Sequence, residues 1–238
     1  MDKQSIRERV WDDMEESGVA RFPFPPHGRI PNFEGADRAA DRLSTTDAWE
    51  RTERVKANPD SPQRPVRRRA LEAGKTVFVA VPRLRDEECF IRLDPAKIDD
   101  YDRATTIDGA PALGEQVGPD AMAAIDLIVS GSVAVTEDGA RIGKGEGYSD
   151  LEFALLREFD LVDDGTTVVT TVHERQVVAD EIRPDAHDVP VDLIVTPERV
   201  VQCGSPADRP EGIDWDVLPA GKIDAIPVLQ QLREDRRR

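Results

Sequence analysis

Apolar residues recur at a spacing of four at the start of the chain: Ile6, Val10 and Met14, with Trp11 alongside. That spacing puts them on one face of a helix. The pattern predicts a helix over 2–17, stopped by Gly18. Residues 21–35 carry four prolines, which forbid regular helix. Phe22, Phe24, Ile30 and Phe33 are nonetheless too apolar for a free linker, so an ordered loop packed on the body is expected. A second helix is predicted over 35–55, with Ala36, Ala39, Ala40, Leu43 and Trp49 inward. After it the period changes. Residues 55–57 read as a short strand candidate, and short, mostly β-branched runs at 76–81, 125–129, 167–172 and 193–195 read as buried strands. Helical patterns at 62–73, stopped by Gly74, and at 150–159 lie among them. Residues 89–93 read as a short strand, 96–103 as a short helix, and the last residues as a fraying end. Strands alternating with helices predict a three-layer α/β/α sandwich with a largely parallel sheet, in which ligands sit beyond the carboxyl ends of the strands.

The segment Asp138-Gly139-Ala140-Arg141-Ile142-Gly143-Lys144-Gly145-Glu146-Gly147-Tyr148-Ser149-Asp150 stands out against this background. Glycine at that density permits positive φ and close backbone approach to a ligand. Successive N–H groups can then line an anion-binding concavity. Lys144 adds a point charge, and the helix that follows presents its N-terminus to the same spot. The segment reads as a phosphate cradle. It is neither a Walker loop, lacking Ser/Thr after the Gly-Lys pair, nor the G-x-G-x-x-G dinucleotide fingerprint.

Composition changes the reading of charge. The net charge is −16, with 48 acidic and 32 basic residues. Lysine is scarce and aspartate outnumbers glutamate, the texture of a surface built to stay hydrated in concentrated salt. A halophilic interior follows as an expectation. At molar salt the Debye length falls to about 3 Å, so self-repulsion is screened. The acidity then says little about polyanionic partners. Cys89 and Cys203 lack the spacing of a zinc site and read as buried thiols in a reducing compartment. No apolar run reaches the ~18 residues of a membrane span, and the polar N-terminus does not read as a signal peptide. A cytoplasmic protein is expected.

Gly139-x-Arg141-Ile142-Gly143-Lys144-Gly145-x-Gly147-Tyr148-x-Asp150 resembles the signature of the 5-formyltetrahydrofolate cyclo-ligase family, approximately G-x-R-[LI]-G-[RK]-G-x-G-Y-Y-D-R. Arg29-Ile30-Pro31-Asn32-Phe33, Asn58-Pro59-Asp60-Ser61-Pro62-Gln63 and Pro82-Arg83-Leu84-Arg85 look like its divergent branch of methenyltetrahydrofolate synthetase domain-containing proteins. The resemblance implies a single cyclo-ligase-like domain over 1–238, with 1–35 packed on the body. It also implies ATP- and Mg²⁺-dependent conversion of 5-formyltetrahydrofolate to 5,10-methenyltetrahydrofolate. In that chemistry the γ-phosphoryl group passes to the formyl oxygen, N10 attacks the resulting iminium phosphate, and phosphate leaves. Little covalent work falls to side chains; the protein neutralises phosphate charge and aligns donor with acceptor.

By the same resemblance, Lys3, Arg7, Arg141, Gly143, Lys144, Gly145, Gly147 and Asp150 are the nucleotide-binding residues, and Asp150 also the Mg²⁺ ligand. Lys144 and Tyr148 take catalytic roles, and Phe33, Tyr148 and Ser149 face the reduced folate. Three departures bear on activity. Ser149 replaces the signature's second tyrosine and Leu151 its final arginine. Asn58-Pro59-Asp60-Ser61 stands where the family has an E-x-D-T-like element. The alternative is therefore a nucleotide- or RNA-binding member with lost or altered cyclo-ligase activity.

The remaining candidates are weaker. His27 and His187 fit loop-packing roles better than ligand contact. His173 follows a strand end, a suggestive place. Arg67-Arg68-Arg69 lies on a predicted helix, where consecutive residues splay around the axis; pairing with carboxylates is the expected role. Aromatic residues make up 5% of the chain and no RNP-like strand is present, which argues against direct stacking on bases. The remaining expectation is a monomer or homodimer acting on small molecules.

Overall fold

In the computed structural model, which describes residues 2–204 and 208–236, helix α1 spans Lys3–Glu16. Asp2 caps it by accepting hydrogen bonds from the N–H groups of Gln4 and Ser5. Ile6, Val10, Trp11 and Met14 are buried along one face, and the chain leaves the helix through Gly18 at φ +73°. The proline-rich loop is tied at its ends where β1 (Ala20–Arg21) pairs with β2 (Asn32–Phe33). Ile30 and Phe33 are buried as expected, and the Trp11 indole N–H donates to the Arg29 carbonyl at 3.0 Å. Phe22 and Phe24 are not packed inward; they are 78% and 58% exposed.

The helix predicted over 35–55 is two helices, α2 (Ala36–Leu43) and α3 (Asp47–Glu50). The break has a local cause. The hydroxyls of Ser44, Thr45 and Thr46 donate to the carbonyls of Asp41, Arg42 and Leu43, a competition that ends helices. Thr46 then caps α3 by accepting from the Trp49 N–H. All five residues predicted to face inward are buried.

The rest of the chain builds the sheet: β3 (Arg54–Ala57), α4 (Arg64–Glu72), β4 (Thr76–Ala80), β5 (Phe90–Leu93), α5 (Tyr101–Ala104), α6 (Gly109–Leu113), β6 (Glu115–Val117) and β7 (Leu127–Val129). A hairpin of β8 (Ala134–Val135) and β9 (Arg141–Ile142) follows. Then come α7 (Tyr148–Glu158), β10 (Thr167–Thr171), β11 (Leu193–Val195), β12 (Val200–Gln202), α8 (Ala220–Ala225) and α9 (Pro227–Asp235). The main sheet has the order β12-β11-β10-β7-β3-β4-β5-β6. Its central pairs are parallel; β12, β5 and β6 run antiparallel to their neighbours. The helix predicted over 96–103 shrinks to α5. Asp94 holds a turn there by accepting from the Ala96 N–H, and Asp100 caps the shortened helix.

Topology places the helices. The β3–α4–β4 connection steps one way along the sheet and the β7–α7–β10 connection steps the other. Right-handed crossovers therefore put α4 and α7 on opposite faces. Side-chain alternation agrees, because Lys56, which points away from the face carrying Val55 and Ala57, meets Glu152 of α7. With both faces covered, Val55, Ala57, Leu127, Val129, Val168 and Ile194 are fully buried. Both cysteines are free and buried, and burial pushes their thiols up to about 12. Among the described residues, no helix is long and apolar enough to cross a membrane.

Candidate functional site

Four segments leave the carboxyl edge of the parallel strands side by side: Asn58 after β3, Pro82-Arg83 after β4, Ser130-Gly131 after β7 and His173 after β10. The β8–β9 hairpin returns the glycine segment, residues 143–147, to α7 above this edge. Gly145 and Gly147 adopt φ of +102° and +68°, values that side chains disfavour. Gly147 occupies the N-cap of α7 without a side-chain cap. The first N–H groups of that helix are thus available to an anion.

Cations converge on these glycines from distant parts of the chain. Arg7, on α1, donates through Nε to the Gly143 carbonyl at 2.7 Å, and its guanidinium lies over Gly145. Lys144 pairs with Glu146 at 2.8 Å. Arg83 stands 4.0 Å from the same carboxylate. It sits in the left-handed region at φ +61°, followed by Leu84 at +52°, strain held in place because Leu84 is fully buried. Lys222, on α8, donates to the Glu146 carbonyl at 2.6 Å and lies 4.7 Å above the Tyr148 ring. Burial lowers its pKa, with Asp150 and Glu146 opposing.

Arg141 plays a different part. It is buried under Gly143 and donates to Asp150 and to the Val189 carbonyl. Asp150 accepts from Arg141 and from the Val189 N–H on one oxygen; its second oxygen takes no hydrogen bond among the described residues. Lys3 directs its ammonium to Asp185 at 2.6 Å and Asp188 at 2.5 Å. Burial pulls its pKa down, and these two partners more than restore it.

The turn Asn58-Pro59-Asp60-Ser61 forms the floor. Arg67 is buried and donates to the carbonyls of Asn58, Pro59, Asp60 and Thr105. The expected carboxylate pairing holds for Arg68 with Glu72 and Arg69 with Asp41, whereas Arg67 builds the turn. Burial pulls it down to about 10, still charged at neutral pH. The Asn58 side-chain oxygen accepts from the Gly131 N–H at 3.0 Å and the Ser149 hydroxyl at 3.2 Å. Ser149 also bonds Ser130 at 3.0 Å. Beneath lies the ion pair of Lys56 and Glu152, with the Asn58 amide donating to the same Glu152 oxygen at 3.2 Å. The Asp60 carboxylate rests on Gly131. Enclosure pushes its pKa up, and Lys144 and Arg67 pull part of the way back.

The same turn, through Pro59 and Ser61, lines a cleft of about 570 Å³ walled by Phe22, Phe33, Arg64 and Ile107. Phe33 meets the His173 ring edge-on, centroids 6.2 Å apart. His173 accepts from the Arg175 N–H through Nδ1, and burial lowers its pKa. His27 pairs with Asp12 at 2.8 Å beside Trp11, the loop-packing role expected of it.

Of the residues singled out by sequence, Arg7, Gly143, Lys144, Gly145, Gly147 and Tyr148 gather around the glycine turn. Arg141 and Asp150 pair beneath it, Ser149 turns toward Asn58, and Phe33 borders the cleft. Sequence reasoning missed Arg83, Lys222 and the Lys56–Glu152 pair. A lone lysine in a short apolar strand was the available signal for Lys56. For Lys222 it was rarity, since only six of the 32 basic residues are lysine.

Comparison with known proteins bears on what this arrangement is. The chain is 46% identical over 236 residues to the methenyltetrahydrofolate synthase domain-containing protein of Mus musculus, covering 98% of this chain and 63% of that protein. For the Homo sapiens protein of the same name the values are 42% over 235 residues, 97% and 61%. The chain thus spans somewhat under two thirds of these relatives. The solution structure of 5,10-methenyltetrahydrofolate synthetase from Aquifex aeolicus superposes with a TM-score of 0.54 at 20% identity, over 87% of this chain and 96% of that one, which shows a shared fold. The family model for 5-formyltetrahydrofolate cyclo-ligases matches residues 1–197. The chain belongs to the 5-formyltetrahydrofolate cyclo-ligase family.

Proposed function

We propose that the protein is a cyclo-ligase that uses ATP and Mg²⁺ to convert 5-formyltetrahydrofolate into 5,10-methenyltetrahydrofolate. One observation carries the reading: the turn Asn58–Ser61 holds Ser149, two residues past the glycine turn, through Asn58, and lines the arginine-walled cleft through Pro59 and Ser61. A phosphate donor over Gly143–Gly147 and an acceptor in the cleft are then neighbours. Alignment of this kind is the larger part of phosphoryl-transfer catalysis.

Each residue has a task in this reading. Arg7, Lys144 and the α7 N–H groups hold phosphate oxygens. Gly145 and Gly147 let the backbone come close. Arg141, with its second partner Val189, fixes the hairpin from below. The site also suits Mg²⁺, which takes one or two carboxylates plus phosphate oxygens; the unengaged Asp150 oxygen is the donor. Bound there, the ion would neutralise charge on the phosphates. Phe33 and Tyr148 bound the folate, and Arg64 offers a cation to its carboxylates.

A second reading, nucleotide binding without efficient turnover, is favoured by Ser149. Its hydroxyl is used within the protein, on Ser130 and Asn58, where the family signature has a tyrosine. The deciding experiment follows methenyl absorbance from 5-formyltetrahydrofolate, with and without ATP and Mg²⁺, at molar KCl, beside ATP calorimetry. ATP-dependent product supports the first reading. Binding without product supports the second, and Ser149→Tyr is then expected to raise product formation. No binding overturns both.

A further inference from the structure

Lys222 comes from a part of the chain that the cyclo-ligase family model, ending at residue 197, does not reach. The relatives' similarity covers 98% of the chain and so extends past that point. The segment therefore belongs to this branch as well as to this protein. Helix α8 places the Lys222 ammonium 3.4 Å from where a Cβ on Gly147 would stand, at the N-cap of α7.

That position is electrostatically odd. A cation at a helix N-terminus opposes the helix dipole. Its partners are a neutral carbonyl, of Glu146, and the face of the Tyr148 ring. Neither cancels its charge. The neighbourhood sharpens the point. Arg7, Arg83, Lys144 and Lys222 surround the glycine turn, and the Glu146 carboxylate there faces Lys144 at 2.8 Å and Arg83 at 4.0 Å. Asp150 and Asp188 are already paired with Arg141 and Lys3, and Asp60, which also faces Lys144, is shared with the buried Arg67. A protein of net charge −16 with six lysines has gathered positive charge at one place. Such a cluster stores repulsion that an incoming polyanion relieves.

We propose that Lys222 is a phosphate-binding residue of the nucleotide site, so that the C-terminal segment beyond the family match completes the cradle. This rests on the nucleotide reading above. Lys222 gives up the Glu146 carbonyl to meet a phosphate oxygen and keeps its stem against Tyr148. The residue thereby couples occupancy of the phosphate site to the ring bordering the folate.

The test compares ATP and AMP binding by calorimetry, with Mg²⁺ at molar KCl, for the full chain and its Lys222→Met and Lys222→Arg variants. Methionine keeps the apolar stem, and arginine keeps the charge. Lys222→Met is expected to weaken ATP about ten- to hundredfold, as loss of one charge-assisted hydrogen bond does, and AMP much less. Lys222→Arg is expected to retain most of the affinity. If the parent binds ATP and Lys222→Met binds it equally well, this inference fails and the nucleotide reading stands. Equal losses for ATP and AMP with a lowered melting temperature mean a structural tether and also overturn it. A parent that binds no nucleotide overturns the nucleotide reading itself.

Discussion

Substituting Lys56→Met should unsettle the protein from beneath its site. Lys56 is 1% exposed and Glu152 5%, and they are hydrogen-bonded to each other across the β3–α7 interface. Methionine fills most of the space but leaves the Glu152 carboxylate buried, with the Asn58 amide as its remaining donor. Removing one member of a buried pair costs about 3–5 kcal/mol. For a chain of this length, about 2–4 °C per kcal/mol converts that to a fall of roughly 6–20 °C in melting temperature. The double variant Lys56→Met/Glu152→Gln removes the orphaned charge and keeps an acceptor for Asn58, so it should be more stable than Lys56→Met alone. Urea unfolding at molar KCl, followed by circular dichroism, measures all three. A loss below about 1 kcal/mol, or a double variant no better than the single one, would refute the view that this pair is a desolvated, mutually dependent unit.

Other expectations follow from the same geometry. Lys144→Ala should weaken ATP binding by about 1.5–3 kcal/mol in calorimetry; unchanged affinity would reduce the glycine segment to a turn. Asp60→Asn should stabilise the ligand-free protein at pH 7. Enclosure raises the folded pKa above its ordinary 3.8, so the parent loses stability as pH rises through that window and the gain should vanish at lower pH; equal melting temperatures across a pH series would count against it. Lowering salt from molar to about 0.1 M lengthens the Debye length from about 3 to about 10 Å, so a chain of net charge −16 should lose compactness in a KCl titration. Full stability in dilute buffer would end the halophilic reading.

Periodicity alone located α1, whose buried residues Ile6, Val10, Trp11 and Met14 are the ones the spacing marked, because a helix face is written in local sequence. The β-branched runs located four of the five parallel strands for the same reason, the short candidate at 55–57 marked the fifth, and glycine density located the turn at 143–147. Where side chains compete with the backbone the pattern misled: three hydroxyl residues split the 35–55 helix, and Asp94 shortened the one predicted over 96–103. The antiparallel edge strands β6 and β12 carry no strong alternation, since an edge buries less and demands less of its residues. What the sequence could not contain was convergence. Arg67 looked like one member of a charged triplet, yet the fold turns it inward onto three consecutive carbonyls at 58–60. Arg7, Arg83, Lys144 and Lys222 are spread over more than two hundred positions. They become neighbours only because parallel strands end at one edge and two helices, α1 and α8, close over it; charge at a distance in sequence has no local signature, and only tertiary packing makes it a site.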